Sequence, residues 1–109
     1  MKQIFLLRHA KSDWGSLSLQ DFDRTLSIKG IEEANKISHY FKSHSVSVDK
    51  ILCSSAERAK QTFDICSDGI NHSIEDAFYK DELYFAGPNE IISLIKGLNE
   101  CTSSVLIIG

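Results

Sequence analysis

The chain has 109 residues, of which 42% are hydrophobic and 25% are charged, with a formal net charge of -3. These values are typical of a folded domain with a buried core, and they exclude a disordered or collagen-like chain. A mildly acidic chain lacks the broad positive surface that binds nucleic acid. A small anionic ligand held in a local cationic pocket is therefore the better expectation, with no nucleic-acid partner.

The three cysteines are widely spaced, and none forms the close pair that is typical of zinc sites. We interpret Cys53, Cys66 and Cys101 as buried thiols in a reducing compartment, and we expect no metal and no other cofactor. The first residues lack the pattern of a secretion signal, and no apolar stretch is long enough to span a membrane. The sequence thus predicts a cytoplasmic protein without a membrane partner.

The first half of the chain predicts a strand, a helix and a second strand. The apolar run from Ile4 to Leu7 is typical of a short strand covered on both faces. Apolar residues at spacings of three and four then predict a helix from Ile28 to about Phe41, with Ser27 as its N-cap. Residues 50–54 form another short apolar run, which predicts the second strand.

The second half continues this alternation of strands and helices. Ser54 and Glu57 have the spacing of a capping box, so we expect a helix to begin directly after the second strand. Pro88 suits the first turn of a further helix. The run SVLIIG at residues 104–109 predicts a last buried strand, and the segment between these two helices is variable and carries no clear pattern.

Alternating strands and helices predict an α/β fold with a mostly parallel sheet and helices on both faces. Ligands bind such sheets at the carboxyl ends of the strands. Arg8 and His9 directly follow the first strand, and Arg58 comes shortly after the second. We therefore expect these three side chains to meet at one edge of the sheet.

The chemistry of these three residues suits phosphoryl transfer. A neutral histidine whose second ring nitrogen is held by a hydrogen bond can act as a nucleophile, which is the role we expect for His9. Guanidinium groups match the oxygens of a phosphoryl group and stabilise its negative charge in the transition state. Arg8 and Arg58 are the candidates for that role.

Three stretches resemble the histidine phosphatase superfamily, and in particular its short branch of phosphohistidine phosphatases. They are LLRHAKSDW at residues 6–14, DFDRTLSIKG at residues 21–30 and ILCSSAERAKQT at residues 51–62, and they occur in the family's order. The resemblance implies a phosphoglycerate mutase-like fold and a metal-independent phosphatase that is phosphorylated on His9. It also implies phosphate binding by Arg8 and Arg58.

The resemblance implies further site residues with less direct roles. Arg24 matches an additional basic residue of the pocket, although it could instead form a surface ion pair, and Ser12 matches a small polar position beside the phosphate. Asp81 and Glu82 lie nearest the family's usual proton donor. A solvated acidic loop is an equally good interpretation of that segment.

The end of the chain leaves the function open between two classes. Members of the family carry a second catalytic histidine directly after a strand of the type VLIIG, and this chain ends at Gly109. We therefore expect residues 1–109 to be a single histidine phosphatase domain that lacks its C-terminal part. The leading hypothesis is a phosphatase acting on phosphohistidine in a protein or on a small phosphorylated compound. The alternative is a catalytically impaired, phosphate-binding regulatory module.

Overall fold

A computed structural model of the chain describes residues 3–10, 23–84, 87–98 and 101–109. Strands and helices alternate through the described residues. The strands are β1 (Gln3–Leu7), β2 (Lys50–Ser54), β3 (Ala77–Lys80) and β4 (Ser104–Ile108), and the helices are α1 (Ile28–Ser43), α2 (Glu57–Cys66) and α3 (Pro88–Lys96). Short 3-10 turns cover Ser67–Ile70, Ile74–Asp76 and Asp81–Leu83.

The four described strands form one sheet in the order β1-β4-β2-β3, and every neighbouring pair is parallel. The predicted mostly parallel sheet is thus confirmed. Ile108 of β4 is paired with Leu7 on one side and with Cys53 on the other, so the strands end close together. Arg8 and His9 leave β1 at this edge of the sheet.

Both faces of the sheet carry helices, as predicted. Leu106 and Ile108 of β4 belong to the core beneath α1 and α2, whereas Val105 and Ile107 belong to the core beneath α3. This alternation follows the side-chain period of a strand, and cover on both faces explains the continuous apolar run of β4. The buried helical side chains on the first face are Ala34, Phe41, Ala59, Phe63 and Cys66.

Strand β1 differs from its prediction, because the described residues cover only one of its faces. Phe5 and Leu7 pack against the core beneath α1 and α2. Leu6, in contrast, is 65% exposed. The physical reason is that β1 lies at the edge of the sheet, beyond β4. On the other face of the sheet, β4 forms its core with α3 and with Leu52 of β2.

The helix starts confirm two of the three sequence predictions. Ser27 caps α1, since its Oγ accepts a hydrogen bond from the backbone N–H of Gly30 at 3.0 Å, and Pro88 is the first residue of α3. The prediction of a capping box between Ser54 and Glu57 was wrong. Ser54 is the buried last residue of β2, and its Oγ accepts from Ala56 N at 3.2 Å, so Ala56 takes the N-cap position.

The cysteines confirm the expectation of buried thiols in part. Cys53 and Cys66 are buried, and burial raises the pKa of Cys53 to about 12 and that of Cys66 to about 11. Cys101 is exposed in the turn before β4, where it has no part in the core. Only the first two thiols are therefore protected from reaction in the folded chain.

None of the helices described above has both the length and the apolar character that crossing a bilayer requires.

The packing of the 3-10 turn after α2 against α1 depends on Gly69. A Cβ at this position would overlap the backbone carbonyl oxygen of Ser38 and lie 2.9 Å from the carbonyl carbon. Because backbone atoms of a packed helix cannot easily move, we expect Gly69→Ala to lower the free energy of unfolding by about 1–3 kcal/mol. Urea unfolding followed by circular dichroism measures this change.

Gly97→Ala is the matched control for the substitution at Gly69. A Cβ at Gly97 would lie 3.6 Å from its nearest neighbours, the carbonyl oxygens of Ser93 and Leu94, which is ordinary contact. We expect stability to be unchanged or raised by less than about 1 kcal/mol. An equal loss in both variants would show that close packing against Ser38 is not the cause.

Candidate active site

A cavity of about 430 Å³ lies at the carboxyl ends of β1, β2 and β4. It combines a polar, cationic wall with an apolar wall from β1, β4 and α3. Its polar and terminal lining residues are Arg8, His9, Ser54, Arg58, Tyr84 and Gly109. The structure thus brings together Arg8, His9 and Arg58, the three residues that the sequence placed at this edge.

The two ring nitrogens of His9 have different partners. Nδ1 lies 2.8 Å from the carbonyl oxygen of Ala10, and Nε2 lies 3.2 Å from Nε of Arg58. A carbonyl oxygen can only accept and the arginine N–H can only donate, so this network assigns the proton to Nδ1 and the lone pair to Nε2. His9 is therefore in the tautomer that a nucleophilic Nε2 requires.

Backbone pairing holds His9 at the end of the sheet. The N–H of His9 donates to the carbonyl of Gly109 at 3.0 Å, and the N–H of Gly109 donates to the carbonyl of Leu7 at 3.1 Å. These two bonds continue the pairing between β1 and β4 beyond the strands. The backbone of the candidate nucleophile is consequently fixed by the same ladder that forms the sheet.

Arg58 lies in the first turn of α2, where it is only 5% exposed. Its guanidinium carbon lies 5.6 Å from the ring centroid of Tyr84, within the range of a cation–π interaction. The Arg58 guanidinium thus contacts both the His9 ring and the Tyr84 ring. Tyr84 was missed by the sequence analysis, because no sequence spacing links it to Arg58.

Three positive charges act on His9. Its pKa is lowered, first by burial and then by the charges of Arg58, Arg8 and Arg24, while the hydrogen bond to the Ala10 carbonyl opposes the shift. Arg8 is exposed but lines the cavity, and Arg24 is half-buried outside the lining. The influence of Arg24 on His9 favours a place beside the site, although its predicted contact with phosphate stays a prediction.

The lowered pKa of His9 predicts a pH-dependent stability. The pKa of His9 in the unfolded chain is 6.5. As the pH falls below this pKa, the unfolded chain binds a proton at His9 that the folded chain does not bind. The free energy of unfolding should therefore decrease between pH 6.5 and the lower pKa of folded His9. Urea unfolding across this range should show the decrease in the parent chain and a smaller one in His9→Ala.

The predicted proton donors do not line the His9 cavity. Asp81 is exposed and lines a separate cavity of about 710 Å³, together with Thr25, Ser55 and Lys60. Glu82 is exposed and lines neither cavity. The role of these carboxylates stays a prediction, and the predicted polar residue Ser12 lies outside the described residues.

The donor chemistry of the cavity is that of an anion site. Within residues 3–10, 23–84, 87–98 and 101–109, the histidine, cysteine and carboxylate side chains form no group of three that could hold a metal ion. Arg8, His9 and Arg58 instead line the cavity, and the lone pair of His9 Nε2 accepts from Arg58 Nε. Guanidinium groups bind phosphoryl oxygens through paired hydrogen bonds, so this wall suits a phosphorylated ligand.

Comparisons with known proteins agree with this chemistry. The family model described as histidine phosphatase superfamily (branch 1) matches residues 4–82. The fold superposes with a TM-score of 0.90 on a structure from Agrobacterium tumefaciens named as phosphohistidine phosphatase SixA, at 35% identity over 99% of this chain and 68% of that one. A structure named as the protein histidine phosphatase SixA complexed with tungstate has a TM-score of 0.83 at 28% identity, covering 98% of this chain and 68% of the other.

A relative in Mycobacterium tuberculosis, itself uncharacterised, is 34% identical over 103 residues. The match covers 94% of this chain and 61% of the relative. The chain therefore spans about three fifths of the length of this relative.

Proposed function

Because this chain belongs to the histidine phosphatase superfamily, we propose that it acts as a metal-independent phosphatase through a phosphorylated His9. The family predicted from the three sequence stretches is confirmed. The observation that carries the proposal is the pair of bonds on the His9 ring, which leaves Nε2 with a lone pair beside Arg58. Residues 1–109 then form part of a single histidine phosphatase domain.

The proposed reaction begins with attack of His9 Nε2 on phosphorus. The bond from phosphorus to the leaving nitrogen or oxygen breaks, and the leaving atom takes up a proton. As the lone pair of Nε2 is consumed, the Arg58 N–H that donates to it turns to a phosphoryl oxygen, where it stabilises the developing charge. Water then attacks the phosphorylated ring, releases inorganic phosphate and restores His9.

The Ala10 carbonyl supports this reaction at the opposite nitrogen. Its hydrogen bond keeps the proton on Nδ1 before attack and stabilises the positive ring that forms when Nε2 is phosphorylated. Burial and the three arginine charges keep the ring neutral before attack. The same charges repel a protonated ring, so they favour the nucleophilic form, and they attract the negative oxygens of a phosphoryl group bound to Nε2.

Phosphohistidine in a protein partner is the substrate class that we propose first. Structural neighbours named as a phosphohistidine phosphatase and as a protein histidine phosphatase support it. An imidazole leaving group also needs little help from an acid, which suits a cavity that Asp81 and Glu82 do not line. A small phosphorylated compound is the second substrate class. Location in the cytoplasm stays a prediction from the sequence.

Transfer of radioactive phosphate tests the proposal. The chain is mixed with a protein carrying ³²P-phosphohistidine, or with ³²P-phosphoramidate as a small donor, in the presence of excess chelator. We expect label to appear on the chain in a form that is stable in alkali and labile in acid, and peptide mapping should place it on His9. Faster labelling from the protein than from phosphoramidate would favour the protein substrate.

Other outcomes contradict the proposal in distinct ways. Label that appears only when a divalent metal is restored would contradict the metal-independent mechanism. Label on a residue other than His9 would contradict the assigned nucleophile. Binding of inorganic phosphate without any label would indicate the phosphate-binding regulatory module instead.

A further inference from the structure

Two adjacent polar residues of α2, Gln61 and Thr62, bind backbone N–H groups from two distant segments. Thr62 Oγ1 accepts from Ala10 N at 3.1 Å, and Gln61 Oε1 accepts from Leu26 N at 2.8 Å. Neither side chain lines the His9 cavity. Gln61 also lines the separate cavity beside Asp81. The two hydrogen bonds hold the segments that carry site residues.

Thr62 connects the nucleophile segment to the turn of α2 that carries Arg58. Its hydroxyl donates to the carbonyl of Arg58 at 2.7 Å, which commits its hydrogen and leaves a lone pair for Ala10 N. The side chain is 1% exposed, so water does not compete for these bonds. The hydroxyl thus fixes Ala10 relative to the helix.

Ala10 links Thr62 to the ring of His9. Its N–H is held by Thr62, and its carbonyl oxygen accepts from His9 Nδ1 at 2.8 Å. The position of that carbonyl, together with the Arg58 N–H at Nε2, decides which ring nitrogen holds the proton and where Nε2 points. A threonine that never touches the cavity is consequently linked, through one residue, to the tautomer of the nucleophile.

Gln61 does the same for the segment of Arg24. The N–H that it binds belongs to Leu26, a buried residue two positions after Arg24. Gln61 therefore ties the segment that follows Arg24 to the same helix.

We propose that Thr62 is a positioning residue that orients His9 from α2. This inference rests on the proposed phosphatase function. Thr62 then governs the rate of phosphoryl transfer to His9, whereas Gln61, whose bond goes to Leu26, has little effect on that rate.

Isosteric substitutions of Thr62 test this proposal. Thr62→Val removes the hydroxyl and keeps the shape, while Thr62→Ser keeps the hydroxyl. We expect Thr62→Val to lower the maximal rate of His9 labelling by about 10- to 100-fold at an unchanged half-saturating donor concentration, because a misplaced nucleophile slows the chemical step. Thr62→Ser should restore most of the rate.

Nitrogen NMR of the His9 ring gives a readout that does not need activity. The parent chain should show a proton on Nδ1, and Thr62→Val should show a mixture of the two tautomers. The inference would be overturned if folded Thr62→Val took label as fast as the parent chain, or if its loss of labelling rate equalled the fraction of unfolded molecules. An unchanged His9 tautomer in Thr62→Val would also overturn it. If the parent chain takes no label, the proposed function fails, and the tautomer still decides the role of Thr62.

Gln61→Met is the matched control for Thr62→Val. It removes the acceptor for Leu26 N at similar length and leaves the bond between Thr62 and Ala10 in place. We expect little change in the maximal labelling rate and no change in the His9 tautomer. An equal loss of rate in Gln61→Met and Thr62→Val would show that the packing of α2, and not the bond to Ala10, controls the reaction.

Discussion

Replacement of His9 by alanine is expected to abolish phosphoryl transfer to the chain, with a loss of at least about 10⁴-fold in the labelling rate. The reason is that His9 Nε2 supplies the lone pair that forms the new bond to phosphorus. Arg8 and Arg58 still line the cavity in this variant, so binding of inorganic phosphate should persist. Labelling with ³²P-phosphoramidate and calorimetric titration with phosphate measure the two effects separately.

His39→Ala is the matched control for the loss of His9. His39 is an exposed histidine on α1, and its removal should leave both the labelling rate and phosphate binding unchanged. If His9→Ala accepts label as fast as the parent chain, His9 is not the nucleophile. If His9→Ala also loses phosphate binding, its effect is structural and the assigned role is wrong.

Most of the sheet could be predicted because its central strands are buried on both faces. β2 and β4 appear in the sequence as short apolar runs, and the helices between them have clear spacings. β3 lacks that signal, since it has four residues and Phe78 and Tyr79 are exposed next to each other. Its edge position is set by pairing with β2, which no local pattern encodes.

The catalytic core of the candidate site could be predicted for the same topological reason. Arg8 and His9 follow a strand directly, and Arg58 follows the next strand of the core by four residues, so a parallel sheet brings them together. Tyr84 and Thr62 could not be predicted as site residues. Their roles depend on where the Arg58 guanidinium and the Ala10 N–H lie in three dimensions.

One local signal could have pointed to Thr62. It lies four residues after Arg58, so both are on the same face of α2, and it adds a hydroxyl beside the apolar side chains of Ala59 and Phe63. A buried hydroxyl needs hydrogen-bond partners, which makes such a residue a candidate for a tertiary contact. The position of Asp81 had no comparable signal, because it follows the unpredicted strand β3.

Replacement of Arg58 is expected to give the second largest loss of activity. Arg58→Met removes the N–H groups and the charge that would stabilise the transferred phosphoryl group, and we expect the labelling rate to fall by about 10²- to 10³-fold. Arg58→Lys keeps a charge but loses the planar arrangement of donors, so its loss should be intermediate. Single-turnover labelling measures both rates.

The pH dependence gives the Arg58 substitutions a second readout. The charge of Arg58 is one of the causes that lower the pKa of His9, so its removal should raise that pKa toward the usual value of 6.5. The acidic limb of the labelling rate should then move to higher pH in Arg58→Met and much less in Arg58→Lys.

Lys60→Met is the control, since it removes a positive charge from the same helix outside the His9 cavity. An equal loss of rate in Lys60→Met and Arg58→Met would show that the overall charge of α2, and not the contact between Arg58 and His9, controls the reaction.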